Sequence, residues 1–276
     1  TEKETKAPKM SIVFKQWMET KPYSLKATEN VARRAVEGFI KSSGNIAIDT
    51  VTPLMFHRYA ESMKEGSRST LTSKLGYVKT MLNWAVTQGF ISSNPWLGLR
   101  ADRKLGAGKV RRSTFTPKEL TDIFSVSKDH HQANMHLSIL ITTGMRLNEA
   151  AFLDWEDVKL NEAGIKFFDL RDAKVKTEGS RRMVPVPKVI DHLFPVGKTG
   201  PIFPDYDRTI DGAASNRLMP VIRLVTDDKR KVVHSLRHTF KDLARDAGIS
   251  KEVGDFITGQ SSGDAAGSYG SGPSLK

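Results

Sequence analysis

A basic, glycine-bearing stretch in mid-chain constrains the fold more than any other feature. It runs Leu99-Arg100-Ala101-Asp102-Arg103-Lys104-Leu105-Gly106-Ala107-Gly108-Lys109. Its charges and glycines leave little apolar surface to pack, so residues 99–113 read as a linker. Thr116-Pro117-Lys118-Glu119 follows: a capping threonine, a proline at the first helical position and a glutamate three residues after the cap. That is the sharpest helix start in the chain. A linker ending at such a start divides the 276 residues into two domains, 11–98 and 114–276, with residues 1–10 as a lysine-rich edge.

The first domain reads as all helical. Phe14, Trp17 and Met18 mark one helix, and a second runs from about Ser24 to Lys41. A third follows Thr52-Pro53. A fourth, from about Thr70 to Gln88, carries an apolar stripe of Leu75, Val78, Met81, Leu82 and Ala85, with Gly89 ending it. The charge is concentrated here. Residues 1–99 hold 14 Lys+Arg against 8 Asp+Glu, and residues 100–112 hold 6 against 1, so +11 of the formal +12 lies in the first 112 residues. That is the footprint of a protein that meets a polyanion. Lys74 and Lys79 lie off the apolar stripe and are candidate phosphate contacts, as are Arg100, Arg103, Lys104, Lys109, Arg111 and Arg112 in the strap.

The second domain mixes helices with a small antiparallel sheet. A buried helix spans about Gln132 to Thr143 and ends at Gly144, leaving Arg146 at the start of a short helix. Strand signals follow at Val158–Leu160, Ile165–Phe168 and Arg182–Val186, the last after the turn Lys176-Thr177-Glu178-Gly179-Ser180. Residues 197–212 read as loop and Asn216–Val225 as helix. With no cysteine, disulfides, thiolate zinc sites and cysteine nucleophiles are all excluded. No apolar run approaches a membrane span and no signal peptide is visible, so a soluble, cytoplasmic chain is expected.

The chemistry concentrates near the C-terminus, at Val233-His234-Ser235-Leu236-Arg237-His238-Thr239-Phe240. Leu236, Phe240, Leu243 and Ala247 recur at helical spacing, with Gly248 as the stop. This places His234, Arg237 and Lys241 on the face away from the predicted stripe. A histidine and an arginine three apart can cradle a phosphate. Upstream stands Gly144-Met145-Arg146; downstream Thr258-Gly259-Gln260-Ser261-Ser262 leads to Tyr269. Arg146, His234-x-x-Arg237, the Gly259 turn and Tyr269 occur in the order that marks the tyrosine recombinases, and across nearly its whole length the chain resembles that family.

The resemblance implies a helical core-binding domain that grips DNA, followed by an α+β catalytic domain. By that likeness Arg146 and Arg237 clamp the scissile phosphate, His234 moves a proton, and Tyr269 attacks phosphorus to leave a phosphotyrosyl link. Lys176 is the implied general acid, in the pattern Lys-Thr-x-Gly-x-Arg-Arg, with Lys174 its rival. Glu149 either orients a group of the site or is an ordinary surface glutamate. His238 and Trp155 read as structural, and Asp227-Asp228 as an exposed structural pair. Two guanidiniums can hold the charge that builds on a phosphate oxygen, so no metal or cofactor is needed. The implied partner is double-stranded DNA in the nucleoid of a bacterial host, bound by a homotetramer that is monomeric when free. Accessory DNA-bending or excision factors could join it.

Two departures stand out. Gln260 occupies the position where the family usually has His or Trp, and an amide donates a hydrogen bond but carries no charge. Only seven residues follow Tyr269, so either the chain is truncated or its assembly differs. A DNA-binding relative without chemistry, or a topoisomerase-like enzyme, therefore stands beside the recombinase reading.

Overall fold

The computed structural model describes residues 7–20, 23, 26–108, 111–172, 180–210 and 212–260. It divides at residue 110 into two units, Thr1–Val110 and Arg111–Lys276. The fold is mainly α with one small antiparallel sheet.

The first unit holds α1 (Met10–Thr20), α2 (Lys26–Ser43), α3 (Pro53–Glu61) and α4 (Arg68–Thr87). Met10, Val13, Phe14 and Trp17 form the buried edge of α1. Ala32, Ala35, Val36 and Phe39 are the buried residues of α2, which packs on α4. Ser67 caps α4 by accepting from the Thr70 amide, and the α4 stripe adds Leu71 to the residues read from sequence. The Asn94-Pro95-Trp96 break closes this core. Trp96 is fully buried, its ring centroid 4.7 Å from that of Phe39 and 5.2 Å from that of Phe56, and its indole N–H donates to the Thr52 carbonyl at 3.1 Å.

The basic strap departs from its reading as an unpacked linker over residues 99–108. Leu99, Ala101 and Leu105 pack against the first core. The Arg68 guanidinium donates to the carbonyls of Ala101 at 2.9 Å and Leu105 at 3.0 Å, and also to that of Asp102. Ala107 pairs with the backbone of Gly66 and Arg68. The physical reason is that a guanidinium can satisfy backbone carbonyls where apolar area is scarce.

The second unit runs through α5 (Pro117–Ser127), α6 (His131–Thr143), α7 (Leu147–Ala151), β1 (Val158–Leu160), β2 (Lys166–Asp169), β3 (Met183–Pro185), α8 (Ala213–Val225), α9 (Val233–Asp246) and α10 (Lys251–Thr258). The capping box at Thr116 forms as read, each partner bonding the other's backbone. The sheet order is β1-β2-β3, with Val158 opposite Phe168 and Phe168 opposite Val184. Helix α6 is buried through its middle, from Met135 to Leu140, and packs on α9. Phe168, Phe194, Phe203, Leu218 and Leu236 complete the core around it. No helix among the described residues is long and apolar enough to cross a membrane.

Candidate active site

Two left-handed glycines build the site. Gly144 ends α6 at φ +63°, and a Cβ there would lie 2.3 Å from the Phe240 ring of α9. The chain therefore turns tightly against α9, bringing Arg146 to the start of α7 and the Gly144 carbonyl beside Arg237. Gly259 ends α10, also at φ +63°, with its notional Cβ 2.5 Å from a guanidinium nitrogen of Arg182.

Arg146 is held by three acceptors. It donates to Glu149 Oε1 at 2.5 Å, to Ser180 Oγ at 2.8 Å and to the Gly259 carbonyl at 2.6 Å. Glu149 is almost buried and accepts from Arg182 at 3.0 Å through its other oxygen. Burial pushes the Glu149 carboxyl up, but Arg182 and Arg146 outweigh it and hold the group below its ordinary range. Arg182, 1% exposed, also donates to the carbonyls of Ile257 and Ser180, each at 2.8 Å. Segments far apart in sequence are thus tied through two guanidiniums and one carboxylate.

Arg237 corrects the helical-wheel reading. It lies on the buried face of α9, 6% exposed, and donates to the Gly144 carbonyl at 2.6 Å, whereas Leu243 is 44% exposed. An arginine sits inward here because the turn at Gly144 offers it a backbone carbonyl. Burial, then the charge of Arg146, lowers the Arg237 pKa to about 10. It stays cationic at neutral pH.

His234 is exposed on the same helix, its ring 5.1 Å from that of His238 at 89°. Desolvation and the positive groups around it, His238, Arg237, Arg146 and Arg112, push its pKa down, so the free protein presents a neutral imidazole. Gln260 is exposed at the end of α10; its backbone N–H donates to the Asp255 carbonyl at 2.8 Å, and its side-chain oxygen accepts from Lys241.

The structure brings together Arg146, Glu149, His234, Arg237 and Gln260. Lys174, Lys176, Tyr269 and Lys109 lie outside the described residues. Sequence reasoning missed Arg182, Ser180 and the role of Lys241. Arg182 was visible only as the last arginine of the Lys-Thr-x-Gly-x-Arg-Arg run. Arg100, Arg103, Lys104, Arg111 and Arg112 are exposed. Lys79 is not a free cation. Its amine donates to the Leu99 carbonyl and stands 5.1 Å from the Phe56 ring centroid. Among the described residues no group of three His, Cys, Asp or Glu side chains could hold a metal ion.

Gly259→Ala is expected to cost about 1–3 kcal/mol, since alanine is strained at that φ and collides with Arg182. Thermal unfolding measures it, and Gly164→Ala, equally left-handed but with open space around it, separates backbone strain from collision.

No family model matches the chain. It is 24% identical over 176 residues to a tyrosine recombinase XerC-like protein of Caldanaerobacter subterraneus subsp. tengcongensis, a match that covers 54% of this chain and 44% of that protein. The chain thus spans less than half the length of that relative. Its fold is similar to a lambda integrase solved as a dimer bound to a COC' core site, with TM-score 0.72, 15% identity, and coverage of 98% of this chain and 81% of that one. A Tn1549 transposon integrase in complex with a circular intermediate DNA gives TM-score 0.70, 18% identity and 92% coverage of both chains. A lambda integrase tetramer bound to a Holliday junction gives TM-score 0.70 at 14% identity, covering 95% of this chain and 77% of that one.

Proposed function

We propose that this chain is a tyrosine recombinase, like the proteins it resembles, and that it cuts and rejoins DNA strands at specific sites through a phosphotyrosyl intermediate, in integration or excision of a mobile element. The observation that carries the reading is the unbalanced charge of the site. Arg146 and Arg182 share one carboxylate, Glu149, while Arg237 is bonded to the Gly144 carbonyl and loses proton affinity partly through the charge of Arg146. Such a partly buried cationic pocket is built for an anion.

The scissile phosphate sits between Arg146, Arg237 and His234. The two guanidiniums hold the charge that grows on the non-bridging oxygens as a fifth oxygen bonds to phosphorus. Tyr269 supplies that oxygen and gives up its proton to neutral His234. The P–O bond to the leaving strand breaks, and that oxygen takes a proton from Lys176. The phosphotyrosyl link conserves the bond energy, so a second strand's hydroxyl rejoins the backbone without ATP. Gln260 donates a hydrogen bond to the phosphate, and Glu149 keeps Arg146 in place. The chain acts in the cytoplasm, on the nucleoid of a bacterial host, monomeric when free and tetrameric on DNA.

The test is trapping on a nicked suicide DNA carrying candidate crossover sites, followed by mapping of the modified peptide. A covalent adduct at Tyr269 is expected; absence of any adduct on such DNA overturns the reading in favour of a binding-only protein. Salt tests the strap separately. Changing Arg100, Arg103 and Lys104 together to glutamine should flatten the log–log salt slope of DNA affinity by about 2.7, at roughly 0.9 for each phosphate left without its cation. An unchanged slope removes these three residues from the DNA-binding set.

A further inference from the structure

We infer that Lys241 is a positioning residue that works through Gln260, turning the amide so that its N–H₂ end faces the phosphate; this rests on the site proposed above. Lys241 lies one helical turn beyond Arg237 on α9. Its ammonium donates to Gln260 Oε1 and to Asp255 Oδ1, the latter at 3.1 Å. Asp255 is fixed in turn, its other carboxylate oxygen accepting from Lys251 at 2.7 Å and its carbonyl accepting the backbone N–H of Gln260.

An ammonium is a donor only, so the amide must offer it oxygen. That choice fixes the other end. The N–H₂ group is turned away from Lys241, on a residue whose neighbour Gly259 holds the Arg146 guanidinium at 2.6 Å. An unanchored glutamine would divide its time between two amide orientations and many rotamers, and only some of these aim a donor at the phosphate. The pair thus replaces the single donor that a histidine would provide. Lys241 also explains why glutamine suits this position in this chain. An imidazole at 260 would sit beside an ammonium, which disfavours its protonated form.

The experiment is single-turnover cleavage of the suicide substrate by the full chain at equal DNA occupancy, across a cycle of variants. Gln260→Ala should lower the rate ~10–100-fold, the loss of one charge-assisted hydrogen bond. Lys241→Met should lower it ~10-fold, while Lys241→Arg, which also donates to the amide oxygen, stays within ~3-fold of the parent. In the Gln260→Ala background Lys241→Met should have no further effect. In the Gln260→His background it should raise the rate, since the repelling ammonium is gone. A purely structural contribution through Asp255 lowers thermal stability alike in every background and cannot reverse sign. Equal losses in all three backgrounds would overturn the proposal, because Lys241 would then act by its own charge or through the fold. A parent that cleaves while the cycle is additive defeats this inference alone; a parent that forms no adduct defeats the site it rests on as well.

Discussion

Tyr269→Phe is expected to abolish every covalent protein–DNA adduct while leaving DNA affinity within a few-fold. The change removes one hydroxyl and no charge, so the electrostatic share of binding is untouched. Neither Tyr206 nor Tyr59 can supply the adduct at comparable rate. Tyr206 is buried, its hydroxyl lies 3.4 Å from His136 Nδ1, and burial pushes its pKa up to about 12. Tyr59 donates to the Ala35 carbonyl at 2.8 Å and is raised to about 12 in the same way. Both are worse nucleophiles than a free phenol, which is already weak at neutral pH with a pKa of about 10. Denaturing gels of the suicide complex read the adduct, and a shift assay on the same samples reads binding. An adduct that persists in this variant relocates the nucleophile and undoes the assignment of Tyr269.

The second large effect is on stability, at Glu149→Ala. This change leaves Arg182, 1% exposed, as a buried charge without its carboxylate, and frees one of the three anchors of Arg146. Breaking a buried pair from one side costs about 3–5 kcal/mol. For a unit of this size that is a fall in Tm of roughly 6–20 °C. Glu149→Gln keeps the shape and two acceptor lone pairs and should lose less. Acid should mimic the effect. The Glu149 carboxyl is held below its ordinary value, so its contribution is complete above the usual glutamate range near pH ~4.3 and is lost as pH falls through the lower, folded value. Thermal scans of parent and Glu149→Gln from neutral pH downward should therefore converge. Curves that stay parallel to the lowest pH would show that Glu149 carries no such linkage.

The helices were legible where a periodic apolar stripe and a cap agreed, as in α4 and α5. Strand positions were also legible, within a residue or so at each end, because hairpin turn signals flank them. What the periodicity misjudged were cations. Arg237 and Lys79 both count as outward-facing on any hydropathy wheel, yet each is drawn inward by a backbone carbonyl that only the tertiary fold supplies. The strap failed for the same reason, since Arg68 organises it by bonding three carbonyls more than thirty residues away. Arg146, His234 and Arg237 could be picked out as a set because their short motifs resemble, in order, those of a known family. Arg182 could not. Its role depends on Glu149 and Ile257, at separations of 33 and 75 residues, and sequence alone does not report such closure.

The way Gln260 is attached separates two quantities that most positions in a catalytic centre bind together. A change at Arg182 breaks bonds to Glu149, Ser180 and Ile257 at once, so any variant there is judged first on whether it folds. Gln260 stands exposed at the end of α10, and its side chain reaches only Lys241 among the described residues. Exchanging that pair leaves the ties among Arg146, Glu149 and Arg182 intact. Under the proposed function, descendants of this chain can therefore adjust the cleavage rate at these two positions with only the Lys241–Asp255 pair at stake in the fold. Directed selection for faster or slower strand exchange has a two-residue library to begin with, at positions 241 and 260.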